Sequence, residues 1–148
     1  WVREVAARNP DKTFVVAGGK DLAAFGSAEA DAAKNTSNIF YPGYVTDGQN
    51  KALMQNCKGF LHPAVFEGFG IPPLEALSLG APIALARASC LPELYGDTAR
   101  YFDPYDYDVD LDALFAKPVT PPDKVLAKYS WEKTARFWLD EIKKCAEA

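Results

Sequence analysis

Glu67 and Glu75 stand eight positions apart across Gly68-Phe69-Gly70-Ile71-Pro72-Pro73-Leu74. Carboxylates accept hydroxyl hydrogen bonds strongly, so a pair spaced this way can grip the two ends of one molecule that carries hydroxyls at both. A sugar nucleotide, with hydroxyls on its sugar and on its ribose, has that form. The two glycines let the backbone approach a ligand closely. Pro72 and Pro73 suit the first turn of a helix, where N–H groups lack intrahelical partners anyway, and the positive end of that helix faces the same place. Backbone amides at such a terminus hold a diphosphate without any side-chain cation. Because proline has no N–H, the donors are Phe69, Gly70 and Ile71 before the pair, and Leu74 and Glu75 after it. Two glutamates alone would be equally consistent with a solvated loop carboxylate and a first-turn carboxylate favoured by the helix dipole. The Gly-Phe-Gly and Pro-Pro-Leu flanks, behind a strand, favour the binding site.

Other chemistry-bearing residues carry less. His62 is the chain's one histidine; it could carry a proton or form a hydrogen-bonded pocket wall, and with no acid partner evident it is read as wall and left off the catalytic set. Asp103, Asp106, Asp108, Asp110 and Asp112 suggest a metal, but a calcium loop needs a turn glycine and a distal bidentate glutamate, which this segment lacks; Asp108 is expected to cap a helix, and no metal is expected. Glu93 either contacts ligand or starts a short helix. Gly18-Gly19-Lys20 matches neither the dinucleotide fingerprint nor the P-loop, which removes the dehydrogenase and NTPase readings. Cys57, Cys90 and Cys145 are odd in number and contain no CxxC pair, so neither a disulfide framework nor a zinc site is indicated.

The elements that position these residues alternate. Trp1–Arg8 reads as an amphipathic helix. Thr13–Ala17 is a short buried strand closed by Gly18-Gly19, Asp21–Lys34 a helix, and Asn38–Tyr44 a strand that Pro42 confines to an edge. Gln49–Asn56 is helical and Gly59–His62 a third strand, leading directly into the Glu67 loop. A helix over Pro72–Leu79 ends with Gly80 at C′. Strands over Ile83–Ala86 and Ala99–Phe102, a helix over Val109–Ala116, and a long helix over Trp131–Ala146 capped by Ser130 complete the chain. Trp131, Phe137, Trp138 and Ile142 share one helical face, expected to pack in the core. Strands alternating with helices specify a doubly wound parallel sheet covered on both faces, with ligands at the carboxyl ends of its strands. Pro118–Asp123 reads as a linker. Residues 1–117 are therefore expected to form the binding domain, and 118–148 a linker and helical segment packing on it.

With 148 residues, 49% of them hydrophobic, the chain can bury one ordinary core. A formal charge of −4 argues against nucleic-acid binding. No apolar run approaches the roughly 20 residues that cross a bilayer, and cysteine usage fits a reducing cytoplasm.

At the Glu67–Glu75 signature the sequence resembles the retaining glycosyltransferases of family four, which share the EX7E motif. The likeness extends over FVVAGG (Phe14–Gly19), NIFYPGYV (Asn38–Val45), FLHPAVFEGFG (Phe60–Gly70), PLEALSLGAPI (Pro73–Ile83), LPELYGD (Leu91–Asp97), FDP (Phe102–Pro104) and Ser130-Trp131. It implies the Rossmann-like C-terminal half of a GT-B enzyme, which binds a nucleoside-diphosphate-sugar donor and uses no other cofactor. By position, Glu75 would hold the ribose hydroxyls, Phe69, Gly70 and Leu74 would offer amides to sugar and diphosphate, Val45 would wall the nucleobase, and Gly19 would lie near the phosphates. Glu67 would touch the sugar and serve catalysis. Pro63-Ala64 departs from the family's usual Pro-Ser and loses a hydroxyl there.

The resemblance also implies parts outside this sequence. The family's first strand in this domain, with its diphosphate-clamping Gly-Arg and Lys, is expected before Trp1, between Thr13–Ala17 and Gly59–His62 in the sheet. An acceptor-binding domain is expected upstream. By resemblance alone GDP-mannose is the favoured donor, with the acceptor left open as a glycan, a lipid or another molecule. The expected location is the cytoplasm, with peripheral association at the inner membrane surface left open. Two rival readings are a GT-B nucleotide-sugar epimerase and a sugar-nucleotide-binding module without catalysis.

Overall fold

The computed structural model describes residues 1–18 and 37–147. Gly19 and the helix expected over Asp21–Lys34 lie outside the described residues. Among the described residues, five short strands and the helices follow in the order α1 (Val2–Arg8), β1 (Phe14–Ala17), β2 (Ile39–Gly43), α2 (Asp47–Asn56), β3 (Phe60–His62), α3 (Ile71–Ser78), β4 (Ile83–Ala86), α4 (Leu91–Tyr95), β5 (Arg100–Phe102), α5 (Leu111–Ala116), α6 (Asp123–Lys128) and α7 (Trp131–Glu147). All five expected strands are present, Ile83–Ala86 with its expected bounds and the other four trimmed by one or two residues.

Every pairing among the described residues is parallel. β1 pairs with β2 through Phe14–Ile39. β4 pairs with β3 through Phe60–Ile83 and with β5 through Ala84–Arg100. The two groups are separate, β1-β2 and β3-β4-β5. β4, Ile83-Ala84-Leu85-Ala86, is buried along its whole length, which explains its unbroken apolar run: a strand with neighbours on both edges and cover on both faces has no solvent side to alternate toward.

One core serves both groups. Val5 and Ala6 of α1 are fully buried with Phe14, Met54, Ala76, Leu77, Leu91, Tyr95, Phe102, Leu111 and Leu114. Asn38, just before β2, sends its amide nitrogen to the carbonyls of Ala6, Asn9 and Lys12 at 2.9, 3.0 and 3.0 Å. One side chain, sharing its two N–H groups among three carbonyls, thereby ties the end of α1 to the turn after it. Trp1 stacks on Phe102 with ring centroids 4.3 Å apart.

Side chains fix several boundaries. Thr46 and Gln49 form a reciprocal capping box on α2, so that helix starts at Asp47, before the expected Gln49. α3 closes as expected at Gly80, φ +83°: the Ala81 amide reaches the Ala76 carbonyl at 3.0 Å and the Gly80 amide that of Leu77 at 3.1 Å, a Schellman motif. Ser130 caps α7, its hydroxyl accepting the Lys133 amide at 3.2 Å.

Four expectations fail. β1, expected to be buried, buries only Phe14, with Val15 44% exposed. α5 is capped by Asp110, which accepts from the Ala113 amide at 2.9 Å, not by Asp108. The Asp108 amide is instead turned back to the Asp106 carboxylate at 2.9 Å, a local Asx turn that competes with helix. Pro118–Asp123 is not a free linker: the Thr120 amide bonds the Asp97 carbonyl at 2.9 Å, Arg100 Nε reaches the Lys117 carbonyl at 3.0 Å, and Asp123 opens α6. Finally, Trp131, Phe137, Trp138 and Ile142 of α7 are 82%, 60%, 60% and 61% exposed. Half-buried Val125 and Leu126 of α6 are the last apolar residues packed on the core, and no residue of the α7 stripe joins them.

Candidate donor site

β3 ends at His62, whose backbone is set by its register with Leu85 of β4. The chain then loops through Glu67 and Gly70 into α3, so the residues singled out for chemistry leave the carboxyl end of β3, where ligands bind in this class of sheet.

The loop is moulded by a segment more than twenty residues downstream. The Ser89 hydroxyl donates to the Glu67 carbonyl at 2.9 Å and faces the Glu67 amide at 3.4 Å. Cys90 Sγ adds a contact to the same carbonyl at 3.2 Å. Ser89 has φ +52°, the one positive φ of a non-glycine residue among the described residues, a conformation that costs energy unless the surroundings enforce it. Tyr95, 2% exposed, donates its phenol proton to the Gly70 carbonyl at 2.6 Å. Burial pushes that phenol well above its ordinary value, so it stays a donor.

Gly70 is required on two counts. Its φ is +77°, and a Cβ there would lie 2.9 Å from Leu91 Cδ2. Being the N-cap, it sets α3 to begin at Ile71. Glu75 therefore stands in the second turn, exposed, one residue beyond the expected first turn. The α-helical pattern gives the Leu74 and Glu75 amides to carbonyls four residues back and leaves those of Gly70 and Ile71 without intrahelical partners. Phe69 packs edge-on against Tyr129, centroids 4.9 Å apart, which links the loop to the chain between α6 and α7.

Glu67 itself has a partner that the sequence did not reveal: His62 Nε2 lies 3.0 Å from Glu67 Oε1, with the side chains 14% and 29% exposed. Only the curl of the loop between positions five apart brings them together. Ser89, Cys90 and Tyr95 also escaped sequence reading, since no local pattern marks a residue that acts on a loop so far away in the chain. Val45 follows β2, half-buried, beside the Thr46 cap. Glu93 lies in the first turn of the five-residue helix α4. Among the carboxylates considered for a metal, Asp103, Asp106 and Asp110 each accept a backbone amide in a turn or cap.

Comparison with known proteins fits this arrangement. Residues 2–113 match the family model "Glycosyl transferases group 1". The serotype-specific mannosyltransferase WbdA of Escherichia coli is 34% identical over 116 residues, 70% of this chain and 14% of WbdA. The O-antigen chain mannosyltransferase B of Escherichia coli is 41% identical over 70 residues, 47% of this chain and 18% of that protein. The chain thus spans under a fifth of these relatives. In fold it resembles TarM, with a TM-score of 0.65 and 21% identity over 94% of this chain and 31% of that one. It also resembles the pneumococcal O-GlcNAc transferase GtfA, solved with UDP and GlcNAc, with a TM-score of 0.52 and 20% identity over 86% of this chain and 24% of that one. The architecture is the Rossmann-like α/β fold of GT-B glycosyltransferases, and the chain belongs to the group 1 glycosyl transferases.

Proposed function

We propose that this chain is the donor half of a retaining glycosyltransferase that moves mannose from GDP-mannose to a glycan acceptor. The observation that carries the reading is the loop itself: a carboxylate, two glycines and a helix N-terminus follow one another at the carboxyl end of β3, and Ser89 and Tyr95 hold them in shape. A diphosphate would take the amides of Phe69, Gly70 and Ile71 near the positive end of α3, with Leu74 in the same turn. Glu75 would take the ribose hydroxyls, Val45 would wall the base, and Gly19 would lie near the phosphates. The mannosyltransferase names of the relatives support the choice of sugar, and "O-antigen chain" in one name supports a growing polysaccharide as acceptor. That acceptor would be bound by a separate domain of the full-length enzyme, working in the cytoplasm or at the inner membrane surface.

In this mechanism the departing diphosphate takes the acceptor's proton on the face it leaves, giving retention, while the protein positions both partners and stabilises the leaving group's charge. Glu67 orients the sugar and offsets positive character at its ring.

The test is Glu67→Gln in the full-length protein, assayed for GDP release from GDP-mannose and, by calorimetry, for GDP affinity. A fall in kcat with GDP affinity intact is expected, because Glu67 addresses the sugar alone. An equal loss of GDP binding would mean that the substitution had collapsed the loop, and would remove Glu67 from this role.

A further inference from the structure

We propose that His62 is a positioning residue for the Glu67 carboxylate: its ring N–H occupies one carboxylate oxygen and leaves the other for the donor's sugar. This rests on the donor-site reading above. The geometry has three parts. His62 is the last residue of β3, in register with Leu85, so its backbone is set by the sheet and not by the loop. Its ring lies nearly parallel to that of Phe60, 13° apart with centroids at 6.3 Å, and its side chain is only 14% exposed. Nε2 then meets Glu67 Oε1 at 3.0 Å; a carboxylate only accepts, so Nε2 carries the hydrogen.

Without that bond, a glutamate on a solvent-facing loop has three side-chain torsions to explore. Ser89 fixes the Glu67 backbone from one side and His62 fixes the carboxylate from the other. Among the described residues no hydrogen bond engages Oε2, which is therefore available to accept a sugar hydroxyl. The strand thus transmits its rigidity to the one acidic group required to sit correctly against the reacting sugar.

The experiment compares His62→Ala, His62→Gln, His62→Asn, Glu67→Gln and the His62→Ala/Glu67→Gln double variant in the full-length protein. Each is assayed for nucleoside diphosphate release from GDP-mannose and from UDP-N-acetylglucosamine, and for GDP and UDP affinity. His62→Ala is expected to lower kcat by about tenfold to a hundredfold, with nucleoside diphosphate affinity unchanged. His62→Gln, whose amide N–H can stand where Nε2–H stood, should restore most of the rate, whereas the shorter Asn should not. The double variant should be no slower than Glu67→Gln alone, because both substitutions act through one carboxylate. Multiplying losses, equal rescue by Gln and Asn, or a His62→Ala rate equal to that of the unsubstituted protein would overturn the role of His62. If Glu67→Gln leaves kcat unaltered, or the unsubstituted protein turns over neither donor, the donor-site reading itself fails.

Discussion

At the scale of single residues, the two glutamates that share a signature do different work because their surroundings differ. Glu67 is clamped at backbone and carboxylate, whereas Glu75 projects exposed from α3 and is free to meet a ligand. Replacing Glu75 by Ala in the full-length protein should weaken GDP binding by about 1.5 to 3 kcal/mol, the worth of hydrogen bonds to a charged acceptor. Calorimetry with GDP alone measures this, and an unaltered affinity would exclude Glu75 from the ribose. Tyr95 contributes to the same loop from below, and its contribution depends on pH. Burial raises its phenol above the ordinary value of 10.0, and Tyr101 is likewise pushed up, to about 12, chiefly by burial. The unfolded chain releases these protons first as pH rises, so stability is full below pH 10 and is lost progressively above it. Denaturant midpoints taken from pH 8 to 11 should decline at the alkaline end, and less steeply in Tyr95→Phe. Parallel curves would mean that Tyr95 ionises as freely in the fold as out of it.

At the scale of elements, strands and capped helices were legible because their signals are local. Gly80 announced the end of α3, and the Schellman bonds to Ala76 and Leu77 follow from it. Nothing lies within 4 Å of a Cβ built there, so Gly80→Ala should cost about 1 kcal/mol from its positive φ alone, read as a shift in denaturant midpoint. Gly70→Ala carries the same conformational cost plus the collision with Leu91, and should also reduce nucleoside diphosphate affinity, because the loop must move. Equal effects of the two substitutions would show that the contact between α4 and the loop is soft. Longer-range features were not legible. The His62–Glu67 pair and the Ser89 clamp depend on how the loop curls. The cap of α5 moved from Asp108 to Asp110 because five closely spaced aspartates all read alike, and only the Asx turn at Asp106 decides among them. The α7 stripe was legible as amphipathic, but its periodicity carries no information about which surface, if any, it meets.

At the scale of the whole molecule, the sheet is divided. β1 pairs with β2, and β3 with β4, yet among the described residues nothing pairs β1 with β3. In a doubly wound sheet of order 3-2-1-4-5-6, these two strands flank a central one. Neighbouring strands stand roughly 4.8 Å apart, so one further strand would span both inner edges. Their backbone groups would otherwise need water or another chain as partner. The exposed apolar face of α7 is a second surface prone to association. The span Trp1–Ala148 by itself is therefore expected to melt broadly and to scatter light as it does so. Extended at its amino end to supply a central strand, it should melt more sharply and at higher temperature, with scattering reduced. A thermal melt followed by circular dichroism and light scattering on both forms measures this. A sharp, reversible, monomeric transition in the shorter form, with tight GDP binding, would show that β1 and β3 need no strand between them and that the assumed strand order is wrong.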